Sequence, residues 1–342
     1  MLDVLLVIFP FFALVLCGYV AAARSMLPFS AVAGLNSFVL YFALPALLYR
    51  FGASTPIARL VNPAVFGIWL VCSVLLVLVV VAISRDGRID WNNAAFGALV
   101  AAFSNTGFMG VPLLVALFGE RAAGTAIITI VVDLLFTSSL CIALSRLDAP
   151  GGAAQAAKNA LRGVVFNPLP WGVLAGGLAS ALQLELWTPL ERTVGLLADA
   201  ASPTALFTIG AMLARSEMLA AQHDKQQREP PDALPTASAA SSPLPLAHVR
   251  PRLAEVLRIV LIKLIVHPLL VLCLGTVAIQ AGAPLPAFAL TIMVLVAALP
   301  SASNVAVLAE RFDADTGRLA RIILLSTAAA FLTFSGAVVL MR

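Results

Sequence analysis

Residues 104–112 read Ser104-Asn105-Thr106-Gly107-Phe108-Met109-Gly110-Val111-Pro112, and residues 299–304 read Leu299-Pro300-Ser301-Ala302-Ser303-Asn304. Both stretches sit inside apolar runs long enough to cross a bilayer, residues 94–118 and 285–309. Both carry residues that a continuous helix tolerates poorly. Proline removes a backbone donor and disrupts the hydrogen-bond ladder. Glycine lowers helix propensity by about 1 kcal/mol against alanine. Backbone groups freed at membrane depth are tolerated only where protein buries them or a water-filled cavity meets them. Each stretch then continues into an apolar turn and an acidic residue, Leu117-Phe118-Gly119-Glu120 in one and Leu308-Ala309-Glu310 in the other. Interrupted apolar segments at matching positions of two halves are the best sequence pointer to a transporter's binding site.

The rest of the chain agrees with a membrane reading. Of its 342 residues, 61% are hydrophobic and 11% charged, with a mean hydropathy of +1.01. A soluble domain carries about 25% charged residues, and a disordered one needs low hydrophobicity and high charge. Both classes are excluded. The net charge of +4 is spread over many short segments, which argues against a nucleic-acid partner. The four cysteines stand alone in apolar runs. The first apolar run follows Met1-Leu2-Asp3 without a basic region and reads as a retained span rather than a cleaved signal.

A helix needs about 20 mostly apolar residues to cross the hydrocarbon core. Ten runs satisfy this: residues 4–22, 35–53, 63–83, 94–118, 123–145, 165–183, 193–213, 255–280, 285–309 and 319–341. Two stretches interrupt them. Residues 147–163 are short and mildly amphipathic, and suit an interfacial connector. Residues 214–252 are polar and rich in Pro, Ser and Gln, and suit a loop. Ten spans divide into five and five, so the second half enters the membrane inverted relative to the first. The expected organisation is a first repeat over 1–146, a connector over 147–164 and a second repeat over 165–342. Pro45-Ala46-Leu47-Leu48 in span two and Pro203-Thr204-Ala205-Leu206 in span seven are a second matching pair.

Lys and Arg concentrate in loops that follow odd-numbered spans, for example Arg85 and Arg88, Arg146, Lys158 and Arg162, and Arg215, Lys225, Arg228, Arg250 and Arg252. Cytoplasmic loops carry such an excess. Both termini are therefore expected outside, and the 214–252 loop in the cytoplasm.

A broken helix presents an N-terminus inside the membrane, with unpaired N–H groups and the equivalent of about +0.5 charge. Two such ends from opposite repeats would cradle an anion without a basic side chain. Around the breaks, Asn105, Thr106, Gly107, Gly110, Pro112, Pro300, Ser301, Ser303 and Asn304 are the candidate substrate-binding residues, and Ser104 supplies a further hydroxyl. The alternative for the small and hydroxyl residues is close helix packing.

Four ionisable residues fall inside apolar runs, where such groups mark function by default. Asp133 lies near the middle of span five and could bind a coupling proton or ion. Asp199 lies four residues before Pro203. Lys263 and His267 are four apart in span eight and share a helix face. Each has a structural alternative: a satisfied buried acid for Asp133, a helix end for Asp199, snorkelling for Lys263 and a neutral bonded imidazole for His267. A pairing of Lys263 or His267 with Asp133, or with an anionic substrate, is the sharper expectation.

Asn36 to Leu48 (NSFVLYFALPALL), Asn105 to Pro112 (NTGFMGVP) with Leu117-Phe118-Gly119, and Leu299 to Glu310 (LPSASNVAVLAE) together resemble the auxin efflux carrier family. That family includes bacterial organic-acid permeases and is related in fold to bile acid/sodium symporters. The resemblance covers nearly the whole chain, and NTGFMGVP is its most specific part. It implies an all-α membrane fold of ten helices in a 5+5 inverted repeat, with helices four and nine broken and crossing. It makes Asn105, Pro112 and Pro300 the crossover residues. It also implies a small carboxylate substrate such as malonate, malate or an auxin-like acid, a homodimer, and for a bacterial member the inner membrane. The longest polar loop here lies between spans seven and eight, whereas plant members carry theirs between five and six. Auxin as substrate and plant-type regulation therefore do not carry over.

The expected function is a secondary carrier of small organic anions with alternating access and no bound cofactor, coupled to protons, to sodium or to neither. An intramembrane enzyme is the second class. The chain has no H-E-x-x-H, no G-x-S-x-G and no Walker motif, so no catalytic or metal-ligating set is assigned. A channel or sensor is the third class; the first needs a ring of polar residues and the second an output domain.

Overall fold

The computed structural model describes residues 2–56, 62–85, 89–148, 168–226 and 253–341. Within them the chain is helical. One isolated antiparallel bridge, between Ser104 and Ser301, is the only β-type pairing among the described residues. The helices are α1 (Leu2–Ala23), α2 (Phe29–Phe38), α3 (Leu44–Ser54), α4 (Pro63–Ser84), α5 (Trp91–Ala102), α6 (Val111–Phe118), α7 (Arg121–Val132) and α8 (Ser138–Ser145). They continue as α9 (Pro168–Leu182), α10 (Thr188–Gln226), α11 (Leu253–Leu261), α12 (His267–Gln280), α13 (Ala287–Ala297), α14 (Asn304–Arg311) and α15 (Thr316–Met341).

Among the described residues, seven helical stretches are long and apolar enough to cross a membrane: Leu5–Ala23, Ser30–Ser54, Pro63–Ser84, Arg121–Ser145, Thr188–Arg215, Leu253–Gln280 and Thr316–Met341. Three apolar helices are shorter: Thr106–Phe118, Pro168–Leu182 and Ala287–Ala297. The runs predicted over 94–118 and 285–309 come out in two pieces each, so neither piece reaches spanning length. The polar stretch predicted as a loop over 214–252 begins differently: α10 continues to Gln226, and 227–252 lie outside the described residues. Nearly all of the connector expected over 147–164 lies outside them as well.

Among the described residues there are four five-residue π-helical turns: Val39–Ala43, Asp133–Thr137 and Ile262–Val266 join two helices end to end, and Thr106–Gly110 leads into α6. Three have a local cause. Pro45, Pro112 and Pro268 sit at the first positions of the helices that follow, and a widened turn accommodates the missing N–H and the ring's clash with the preceding carbonyl. The fourth has no proline. There Ser138 Oγ donates to the Asp133 carbonyl at 2.8 Å and Thr137 Oγ1 to the Asp133 carboxylate at 3.1 Å, so hydroxyls hold the widened turn.

The helices pack as two groups. In the first, α1 lies along α10, and α9 along α3. Glycines make both approaches possible. A Cβ on Gly210 would fall 1.8 Å from the Val15 carbonyl oxygen, and one on Gly18 would fall 1.9 Å from that of Phe207. Across the other contact, a Cβ on Gly176 would meet the Tyr49 carbonyl oxygen at 2.3 Å. Small residues let membrane helices approach to backbone contact. In the second group, α4 packs on α5 and α12, α5 on α8, α13 on α7 and α12, and α11 on α15. One end of this group is fastened by a buried arginine. Arg318 pairs with Glu255 at 2.5 Å and donates to the Asn93 carbonyl at 2.9 Å. The outer faces carry exposed large apolar side chains such as Leu6, Phe9, Leu78, Val79 and Leu332.

Candidate functional site

α5 stops at Ala102 because residues 103–105 leave helical geometry, with Phe103 at ψ 107° and Asn105 at ψ 50°. α13 stops at Ala297, and α14 begins at Asn304. The two gaps lie against each other and satisfy each other's backbone. The Asn105 N–H donates to the Pro300 carbonyl at 2.9 Å, and the Ala302 N–H donates to the Phe103 carbonyl at 3.0 Å. Freed polar backbone in a membrane must find partners inside the protein, and each break supplies them to the other. The Asn105 carbonyl also accepts from the N–H groups of Met109 and Gly110, at 3.1 and 3.0 Å. The Ser301 N–H donates to Ser326 Oγ on α15 at 3.2 Å.

Beside this contact is a pocket with about 310 Å³ of empty space, part of it open to the outside. Ser104, Asn105 and Gly107 line it from one break and Ala302 and Asn304 from the other; Leu44 of α3 and Leu169 of α9 close it from the first helix group. The Oδ1 atoms of Asn105 and Asn304 are buried without a hydrogen-bond partner. A buried unpaired carbonyl is expensive, so these two oxygens call for a hydrogen-bond donor. Gly107 has nothing within 4 Å of where a Cβ would stand, while a Cβ on Gly110 would strike Leu299 at 2.5 Å. The first glycine leaves the pocket open; the second lets the breaks close up.

The predicted binding residues therefore separate into two sets. Asn105, Gly107 and Asn304 line the pocket. Thr106, Gly110, Pro112, Pro300, Ser301 and Ser303 build the breaks around it; of these, Ser301 is fully buried, with an unpartnered hydroxyl.

Behind the pocket lies a polar cluster. Asp133, Lys263 and His267 are all fully buried. Trp69 Nε1 donates to Asp133 Oδ1 at 3.0 Å, beside the bond from Thr137. Lys263 Nζ donates to Ser104 Oγ at 2.6 Å and to the Ala297 carbonyl at 3.1 Å, and lies 3.1 Å from His267 Nδ1. The His267 ring packs against Trp69 with centroids 5.4 Å apart. Lys263 thus ties both ends of the construction: Ser104 in one break and the residue at which α13 stops. Three of the four ionisable candidates converge, with Lys263 and Asp133 in electrostatic contact but not in a direct ion pair.

Asp199 is elsewhere. It pairs with Arg50 at 2.6 Å on an exposed surface of α10 and α3. Neither residue lines the pocket. Asp199→Asn should therefore leave transport unchanged, as measured by substrate exchange in proteoliposomes. Trp69 and Ser326 were not anticipated: a tryptophan or serine inside an apolar run carries no signal of what it will face.

Helices of spanning length among the described residues, together with the family match and the transporter-named relatives that follow, make this an integral membrane transporter rather than an enzyme. The profile of the family described as "Membrane transport protein" matches residues 3–338, and the chain belongs to this family, that of the auxin efflux carriers. It is 28% identical over 354 aligned positions to a Rhizobium meliloti (strain 1021) protein named "Putative malonate transporter", covering 100% of this chain and 97% of that protein. It is 24% identical over 318 positions to the Escherichia coli (strain K12) "Uncharacterized transporter YfdV", covering 90% of this chain and 88% of that one. A shorter likeness, 30% over 107 positions, links it to the Arabidopsis thaliana "Auxin efflux carrier component 7"; it covers 29% of this chain and 16% of the plant protein.

Proposed function

We propose that this protein is a secondary carrier of small organic anions, with malonate-like carboxylates as the first substrate class. The anion binds where the two broken helices meet and is exposed alternately to each side of the membrane. The observation that carries this reading is the pair of breaks itself. Asn105 and Asn304 both line one pocket, where it is their amide NH2 groups, and not the unpartnered Oδ1 atoms, that can donate to a carboxylate, and the N-terminal ends of the helices starting at Thr106 and Asn304 contribute partial positive charge. The relative named for malonate, which aligns over the whole chain, supports the substrate class.

The reading includes ten membrane crossings in two inverted repeats of five, over 1–146 and 165–342, with a connector between. The helices α5–α6 and α13–α14 count as crossings four and nine, and the short α9 as crossing six. Support comes from equivalent positions meeting equivalent positions. Ser104 and Ser301 hold the same place in the two proposed repeats and pair with one another. Helix one packs on helix seven through Gly18 and Gly210, and helix six packs on helix two through Gly176 and Gly52, as a pseudo-twofold axis would require. Both termini outside, residues 214–252 cytoplasmic, the bacterial inner membrane and a homodimer complete the proposal.

The test is exchange of labelled malonate, malate and indole acetate in proteoliposomes under imposed pH, sodium or voltage gradients. Saturable flux that Asn105→Ala abolishes is the expected result. Flux of none of these acids by folded protein would overturn the substrate class.

A further inference from the structure

We infer that Asp133 is the carrier's proton-binding site, and that a proton loaded there releases Lys263 to balance the bound anion. The inference rests on the transporter reading above and adds the ion that moves with the substrate.

The geometry distinguishes the two charged groups. Lys263 Nζ has three acceptors, Ser104 Oγ, the Ala297 carbonyl and His267 Nδ1, at 2.6, 3.1 and 3.1 Å. An ammonium has three hydrogens to place, and here each has a partner. Asp133 uses only one oxygen: Oδ1 takes both the Trp69 and the Thr137 donors, and Oδ2 has none. His267 Nδ1 accepts from the ammonium, so its own hydrogen sits on Nε2, which also has no partner. The cluster therefore holds a saturated cation and an acid with one bare oxygen, both fully buried.

The titratable surroundings are sparse. Lys263 acts on Asp133, Cys141 lies within the reach of the Asp133 carboxylate, and His267 stands beyond Lys263. Of the helices packed around the cluster, α4 carries only Cys72, and α5 and α13 carry no titratable side chain. α7 has Arg121 at its far start, and α12 adds Cys273. α11 and α15 bring Glu255, Arg258, Arg318 and Arg321, with Arg318 held by Glu255. Asp133 is the one acid of the cluster among the described residues.

The pocket lies directly in front. Ile130 and Leu134, which flank Asp133 on its own helix, line it, and so does Ser104, the hydroxyl that receives Lys263. In the empty carrier, Asp133 as carboxylate and Lys263 as ammonium compensate each other. An anion arriving beside Ser104 puts two negative groups against one cation in a region of low dielectric, where such interactions are strong. A proton from water on the loading side then bonds to Asp133 Oδ2. Lys263 keeps its three hydrogens and its charge serves the anion. On the other side the anion leaves, the O–H bond breaks and the proton passes to water. Anion and proton travel in the same direction, one proton per cycle.

The test uses proteoliposomes containing a pH-reporting dye, with malonate as the probe. A malonate gradient across wild-type membranes should move protons in the same direction. Asp133→Asn should slow malonate exchange without stopping it and remove the proton signal. Trp69→Phe keeps the ring but removes the donor to Asp133, and should displace the pH profile of malonate flux. Net malonate flux down its gradient with no proton signal, sodium-driven net flux without one, or a proton signal that survives Asp133→Asn would each overturn the inference. A readout free of substrate separates it from the transporter reading. The infrared carbonyl band of protonated carboxyl groups, followed against pH in purified protein, should lose a component in Asp133→Asn, and unchanged spectra would overturn the assignment. Absence of malonate exchange in the wild type, with that infrared component present, would count against the substrate class alone.

Discussion

Lys263→Met should cost the folded protein about 3 kcal/mol or more, since each buried acceptor left without a donor costs roughly 1–3 kcal/mol. The side chain is fully buried, and its ammonium donates to Ser104 Oγ, to the Ala297 carbonyl and toward His267. Methionine fills a similar volume but returns none of those hydrogen bonds. Three acceptors lose their donor, and Asp133 is left in the interior without its compensating cation. The loss should appear as a lower unfolding temperature of purified protein in detergent. The double substitution Asp133→Asn with Lys263→Met should recover part of it, because the orphaned charge is gone. That non-additivity is the signature of two groups that interact. An unaltered unfolding temperature in Lys263→Met, or strictly additive effects in the double variant, would show that the two residues are independent.

The second large effect concerns packing rather than charge. Gly210→Ala should prevent α1 and α10 from reaching their observed separation. Its Cβ would stand 1.8 Å from the Val15 carbonyl oxygen and 2.7 Å from the Tyr19 nitrogen. Both are backbone atoms, so no rotamer change relieves the clash and a whole helix must shift. Overpacking costs about 1–3 kcal/mol where side chains can adjust, and occasionally more; here the upper end or beyond is expected. Gly195→Ala, on the same helix, is the control. Nothing lies within 4 Å of its Cβ position, and the change gains about 1 kcal/mol of helix propensity. Size-exclusion profiles and unfolding temperatures should therefore separate the two variants sharply, with Gly210→Ala aggregated or strongly destabilised and Gly195→Ala at or above wild type.

These two cases also mark how far the chain could be read before its structure. The helix breaks were legible because proline and glycine act locally: Pro112, Gly107 and Gly110 disturb the helix in which they stand, whatever packs outside it. The ionisable residues Asp133, Lys263 and His267 were legible as types, since a charge inside an apolar run has few uses. Their partners were not. That Lys263 reaches Ser104, 159 positions away, depends on how two helices approach, and no local pattern encodes it. Trp69 looked like any large apolar residue until its indole N–H met Asp133. Asp199 shows the reverse: it had the same local signal as Asp133, yet the fold gives it Arg50 and an exposed face. Gly18 and Gly210 drew no attention because glycine is common in membrane helices, and only the neighbouring helix reveals which of them are required. The polarity of residues 214–252 predicts a loop, but α10 continues beyond the apolar segment to Gln226.

The central claim is that the anion sits at the two paired breaks, and Gly107 permits a direct test. It lines the pocket, and no atom stands within 4 Å of its Cβ position, so Gly107→Cys is sterically tolerated there. In a background with Cys17, Cys72, Cys141 and Cys273 changed to alanine, this single thiol should react with a small water-soluble maleimide, and malonate should slow that reaction in a saturable way. A labelling rate at position 107 that saturating malonate leaves unchanged, in protein that still exchanges malonate, would contradict the site.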